Sequence, residues 1–81
     1  MPADCDSPLL RMIGRRVRLA RELSGMTQGE LAEKVCMSRP SVANLEAGRQ
    51  DMPVTRLALV AYMVDLTLAD LVTEPVPAGA R

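Results

Sequence analysis

The chain has 81 residues, a formal net charge of zero and 48% hydrophobic residues, with one Tyr and no Phe or Trp. That length suits one domain with a modest core, and without large aromatics the core must be aliphatic. There is no His, and the two cysteines, Cys5 and Cys36, lie far apart. Neither a zinc-ligand set nor an imidazole base is therefore available. No segment alternates like a strand for more than a few residues, so the expected class is all-α, a compact bundle of five helices.

The elements follow in chain order. Residues 1–7 are acidic, lack the apolar stretch of a signal peptide, and are expected to fray, as are residues 75–81. Sparse cysteines and the absence of a leader point to the cytosol. The first helix runs from about Pro8 or Leu9 to Leu23 and is stopped by Gly25. Ile13, Val17 and Ala20 form its core stripe, with Met12, Leu19 and Leu23 widening the apolar face. Thr27 then caps a second helix, about Gln28 to Val35. Glu30, three residues on, completes a capping box. Leu31, Ala32 and Val35 share one face.

Ser38 caps the third helix, about Arg39 to Ala47, and Pro40 sits in its first turn, where a missing N–H is tolerated. Val42 and Leu45 face one way; Pro40, Ser41, Ala43, Asn44 and Ala47 face elsewhere. Gly48 ends it. After the Asp51–Met52–Pro53 turn comes a fourth helix, about Val54 to Val64. The apolar run from Leu57 to Val64 is too short to span a bilayer. Asp65 tolerates a left-handed turn. Thr67, with Asp70, caps a short fifth helix, Leu68 to Val72. Leu57, Val60, Ala61, Val64, Leu66, Leu68 and Leu71 are expected to close the core. No internal repeat is visible.

Charge is unevenly placed. Residues 11–49 hold eight basic and four acidic side chains, while the remainder holds two basic and six acidic ones. A basic half and an acidic half suit a domain that offers one face to phosphate. No carboxylate pair, partnered Ser or Cys, or Gly-rich phosphate loop stands out, so neither an enzyme nor a cofactor is expected.

Residues 27–48 read as two capped helices joined by a tight turn, the helix-turn-helix geometry. Here the chain resembles the lambda-repressor-like, Cro/CI-type (XRE) helix-turn-helix domains. The resemblance rests on IGRRVRLARE, on G-M-T-Q-x-E-L-A-E-K-V, on S-R-x-S-V-x-N-L-E-x-G-R, and on L-x-x-V-A-x-x-V-D-L-T-L-A-D-L. Together these cover roughly Ile13 to Val72 without gaps.

The resemblance implies a double-stranded DNA partner, with the third helix entering the major groove. Arg39 then offers a fork to guanine, Asn44 a bidentate pair to adenine, and Pro40 and Ala43 apolar contact with a thymine methyl. Gln28, Ser41 and Arg49 are placed for phosphate; the family counterpart of Gln28 also braces the first residue of the recognition helix, here Arg39. Arg21 and Glu46 match a partly buried pair that fixes the angle of that helix. The departures from the family are Cys36 and Asp65, where Gly is usual, and Leu59 and Tyr62, where polar residues are usual. Those two side chains, with Met63 or Met52, are expected to form a homodimer interface on the fourth and fifth helices.

The implied function is a dimeric repressor on a palindromic operator, regulated by concentration and cooperativity. A controller-type activator of a restriction-modification system, with an RNA polymerase contact, and an antitoxin, with a toxin contact, are the alternatives. A purely protein-binding helical module is a third.

Overall fold

The computed structural model describes residues 7–74, so both expected frayed ends, apart from Ser7, lie outside the described residues, as does Cys5. Five helices follow one another: α1 (Pro8–Leu23), α2 (Gln28–Lys34), α3 (Arg39–Glu46), α4 (Val54–Met63) and α5 (Leu68–Val72). α2, α3 and α4 each stop one residue before the sequence-based end, because Val35, Ala47 and Val64 serve as C-caps. α3 packs against α1 and α2, while α5 packs against α1 and α4.

The core is aliphatic. Ile13, Val17, Leu31, Val35, Val42, Leu45, Leu57, Val60, Val64 and Leu71 are buried, together with Ala32 and Ala61. Ala20, Leu66 and Leu68 pack against this cluster from partly buried positions. The wide apolar face expected of the first helix is narrower in fact. Leu19 is 60% and Leu23 79% exposed, because α1 is packed mainly by α3 and α5 and these two side chains lie outside that contact. α4 differs the other way. Leu59 and Met63 are partly buried against the core, leaving Tyr62, 73% exposed, and Val54 as the bare apolar groups of that helix. Long side chains lean around a helix away from their own Cα direction, which a helical wheel does not show.

Although no repeat is visible in the sequence, one joint is used three times. At Gly25, Cys36 and Asp65 the backbone turns left-handed, with φ of 75°, 56° and 64°. The next residue, Met26, Met37 or Leu66, tucks partly under the core. Its N–H returns to the carbonyl of Arg21, Ala32 or Ala61, at 3.1, 2.9 and 2.8 Å. This six-to-one bond satisfies a helix carbonyl that would otherwise lack a partner. Thr27, Ser38 or Thr67 then caps the following helix through its side-chain oxygen. Gly48, at φ 74°, closes α3 with the same return bond, from Arg49 to Asn44.

Arginines finish two of the exposed carbonyl ends. Arg16 donates to the carbonyls of Asp70 (3.0 Å) and Thr73 (2.8 Å), holding the end of α5 on α1. Arg56 donates to the carbonyls of Val35 (2.5 Å) and Cys36 (3.2 Å), tying α4 to the turn between α2 and α3.

Candidate nucleic-acid interface

The angle between α1 and α3 is set by contact of bare backbone. A β-carbon added to Gly14 would sit 2.5 Å from the carbonyl oxygen of Leu45 and 2.6 Å from that of Glu46. One added to Gly48 would lie 2.8 Å from Arg11 Cγ and 2.9 Å from Arg11 Cα. Sequence reading passed over Gly14. The available signal was a Gly inside an otherwise regular helical pattern, which costs helix stability and so asks for a packing reason.

Beside this contact lies a buried ion pair. Arg21 Nε donates to Glu46 Oε2 at 2.6 Å, and Arg21 Nη2 to Glu46 Oε1 at 3.0 Å. Arg21 is 8% and Glu46 7% exposed. The third arm of the guanidinium, Nη1, donates to the carbonyl of Met26 at 2.7 Å, inside the α1–α2 joint. The hydrogen bond to Glu46 raises the Arg21 pKa above its usual value. Burial opposes this, and the charges of Glu46 and Glu22 add to it. One fork thus fastens the end of α1, the α1–α2 joint and the end of α3 to one another. Both charges are satisfied, and no buried side-chain polar atom among the described residues lacks a partner.

The pair continues outward. Gln28, the first residue of α2, donates from Nε2 to Glu46 Oε1 at 3.0 Å. Its carbonyl oxygen accepts from Arg39 Nη1 at 2.9 Å. Arg39 opens α3, is exposed, and is followed by the exposed Pro40. Ser38 caps α3 by accepting from the Ser41 N–H at 3.2 Å, and its hydroxyl donates to Ser41 Oγ at 2.9 Å, which leaves the Ser41 proton free to donate outward. Ala43 and Asn44 are half-exposed one turn on, and Arg49 is exposed just past the helix. The Asn44 amide and the Arg49 guanidinium make no side-chain hydrogen bond with the described residues. The structure thus brings Arg39, Gln28, Arg21 and Glu46 into one connected chain of groups and leaves Asn44 and Arg49 unengaged. Tyr62 belongs to α4 and stands outside this network.

These features are an exposed, capped helix whose first side chain is held from behind by the preceding helix. The helix-turn-helix domain family matches residues 13–73, most of the chain, and does so across every element of this arrangement. The chain belongs to this family, as a lambda-repressor-like, Cro/CI-type member.

Solved structures agree. The clp gene regulator ClgR from Corynebacterium glutamicum is 31% identical, with a TM-score of 0.76 over 80% of this chain and 69% of that one. A SinR protein/SinI protein complex contains a chain 28% identical, with a TM-score of 0.68 over 78% of this chain and 62% of that one. The restriction-modification controller protein C.Esp1396I, solved as a tetramer on its natural operator, shares the fold at 21% identity, with a TM-score of 0.71 over 85% of this chain and the whole of that one. No curated protein matches the sequence. The family is one of DNA-binding transcription regulators rather than enzymes. No helix among the described residues is long and apolar enough to cross a membrane.

Proposed function

We propose that the chain binds double-stranded DNA sequence-specifically as a dimeric repressor on a palindromic operator, with α3 in the major groove. One observation carries this reading. Arg39 at the head of α3 is tethered to Gln28, while the Asn44 side-chain amide, further along the helix, makes no hydrogen bond with the described residues. A guanidinium suits guanine O6 and N7, and an amide suits adenine N6 and N7. Pro40 and Ala43 add apolar surface for a thymine methyl. Gln28, Ser41 and Arg49 flank the helix as phosphate donors, and such contacts orient a protein without reading sequence. A single domain of this size covers few base pairs, so useful specificity calls for two half-sites. Bound across a promoter, such a dimer represses by occlusion.

The test measures binding of Arg39→Ala and Asn44→Ala to the DNA upstream of the chain's own gene and to random duplex. Each variant is expected to lose about 1–3 kcal/mol of discrimination, with a smaller loss on random DNA. Equal losses on both duplexes would remove these two residues from base reading.

A further inference from the structure

We propose that Glu46, buried and facing away from solvent, is a positioning residue for base readout, acting on Arg39 through the polarity of the Gln28 amide. This rests on the reading of Arg39 as a base-contacting residue.

An ionised carboxylate accepts hydrogen bonds and donates none. Glu46 Oε1 already receives Arg21 Nη2 at 3.0 Å when it meets Gln28, also at 3.0 Å. Only the NH2 end of Gln28 can face it. The amide is therefore turned so that its oxygen points the other way, to Arg39 Nη1 at 2.9 Å. The opposite orientation would set oxygen against a carboxylate and NH2 against a guanidinium, repulsive at both ends. The charge on Glu46 thus makes the outer end of Gln28 an acceptor, and that acceptor holds a cation at position 39.

The bond occupies one of the five N–H groups of Arg39 and leaves four, the second proton of Nη1, both protons of Nη2 and the Nε proton, for a guanine edge. An exposed arginine without a tether carries large rotamer freedom that binding must remove. Fixing it beforehand concentrates the benefit on the base that the fork faces, whereas an untethered guanidinium can turn to the phosphates. Glu46 is joined to Arg39 only by way of Gln28, so its effect on the Arg39 side chain, unlike its hold on the helix through Arg21, passes through one rotatable amide.

The experiment begins with an operator selected by the wild-type chain from a randomised duplex pool. Affinities are then measured for that duplex and for versions in which each guanine in turn is replaced by 7-deazaguanine, which lacks the N7 acceptor. Arg39→Ala identifies the guanine read by Arg39, as the position where replacement no longer matters. At that guanine the wild type is expected to discriminate by about tenfold or more. Glu46→Gln keeps the side-chain volume but lets the Gln28 amide take either orientation, so discrimination there should fall several-fold while other positions keep theirs. The exchanged pair Gln28→Glu with Glu46→Gln restores an obligate acceptor facing Arg39. It should recover discrimination at that guanine even if overall affinity falls through repulsion of phosphate. Gln28→Met, which leaves the ion pair intact, should reproduce the loss and covers the case in which Glu46→Gln alone does not fold.

A folded Glu46→Gln variant that weakens all duplexes by one common factor would overturn the proposal, as would an exchanged pair that recovers nothing. If Arg39→Ala itself leaves every discrimination ratio unchanged, the base-reading role of Arg39 fails instead, and the two failures are told apart.

Discussion

Gly14 is the residue on which α3 rests. Its missing side chain lets α1 meet the carbonyls of Leu45 and Glu46, the last turn of α3. Those carbonyls are backbone and cannot swing aside. Gly14→Ala is expected to cost about 1–3 kcal/mol, from overpacking that more than cancels the usual helix gain of Ala over Gly. Gly29 supplies the contrast. A β-carbon there meets only Thr27 Oγ1, at 3.9 Å, so Gly29→Ala should stabilise by about 0.5–1 kcal/mol. Thermal melts of the two variants should move in opposite directions, by about 4–8 °C per kcal/mol for a domain of this size. A Gly14→Ala melt at or above the wild type would show that α1 and α3 can part without cost. Cys36 presents the reverse problem, a β-carbon at φ 56°. A left-handed residue other than Gly costs roughly 1–2 kcal/mol, partly offset in a Cys36→Gly variant by the greater freedom of Gly in the unfolded chain. That variant should gain about 0.5–1 kcal/mol, and no rise in melting temperature would mean the turn carries little strain.

At the scale of elements, the starts of α2, α3 and α5 were legible because each carries its signal locally. Thr27 with Glu30 and Thr67 with Asp70 are spaced as capping boxes require, and Ser38 stands ahead of Pro40; each of the three caps makes its bond in the structure, Ser38 with the Ser41 N–H. The Arg21–Glu46 proximity came from the resemblance to a family. Nothing in either helix alone places residues 25 apart within 2.6 Å. What escaped the sequence is tertiary: the close approach at Gly14, the bond from Gln28 to Glu46, and the burial of Leu59 and Met63. Gly25, Cys36 and Asp65 were each legible as turn positions, but not that the three turns form one joint. It is a repeat of backbone geometry, filled by Gly, Cys and Asp in turn. The last of these joints has a pH signature. Hydrogen bonds from the Thr67 backbone and side chain, helped by the charge of Arg16, hold the Asp70 pKa below its usual value. A carboxylate depressed in the folded state adds stability that is complete above its unfolded pKa, about 4, and disappears as pH falls through the lower folded value. Unfolding in denaturant measured from pH 7 downward should therefore show an acid limb below about pH 4. Asp70→Asn should be less stable at neutral pH and should flatten that limb. An acid limb of unchanged slope in the variant would assign the acid sensitivity to other carboxylates.

At the scale of the whole molecule, the four most exposed of the large apolar side chains among the described residues lie on two helices, with Leu9 on α1 and Val72 on α5 less exposed. On α1 are Leu19 and Leu23, beside Leu66 and the acidic Asp70. On α4 are Tyr62 and Val54. A symmetric partner needs a self-complementary surface, and each of the two patches is a candidate to supply one. The proposed dimer uses α4 and α5, so Tyr62 is its natural centre: an aromatic body with a polar tip, the kind of residue enriched at interfaces. Leu59 and Met63 enter that surface only in part, because both also serve the core. A Leu59→Lys variant would therefore confuse loss of folding with loss of association. The cleaner probe is Tyr62→Lys with Val54→Lys, set against Leu19→Lys with Leu23→Lys. All four of these side chains are largely exposed, so neither pair removes buried packing. Sedimentation equilibrium at tens of micromolar should give a dimer for the wild type and for the α1 variant, and an 8.8 kDa monomer for the α4 variant. The monomeric variant should keep its melting temperature at low concentration, where the wild type is also dissociated. It should also bind a single half-site as the wild-type protomer does, while losing the gain of a second half-site placed about 34 Å away along the duplex. Dissociation by the α1 pair instead would move the twofold axis to the Leu19–Leu23 face and change the spacing between recognition helices, and with it the spacing of the operator's halves.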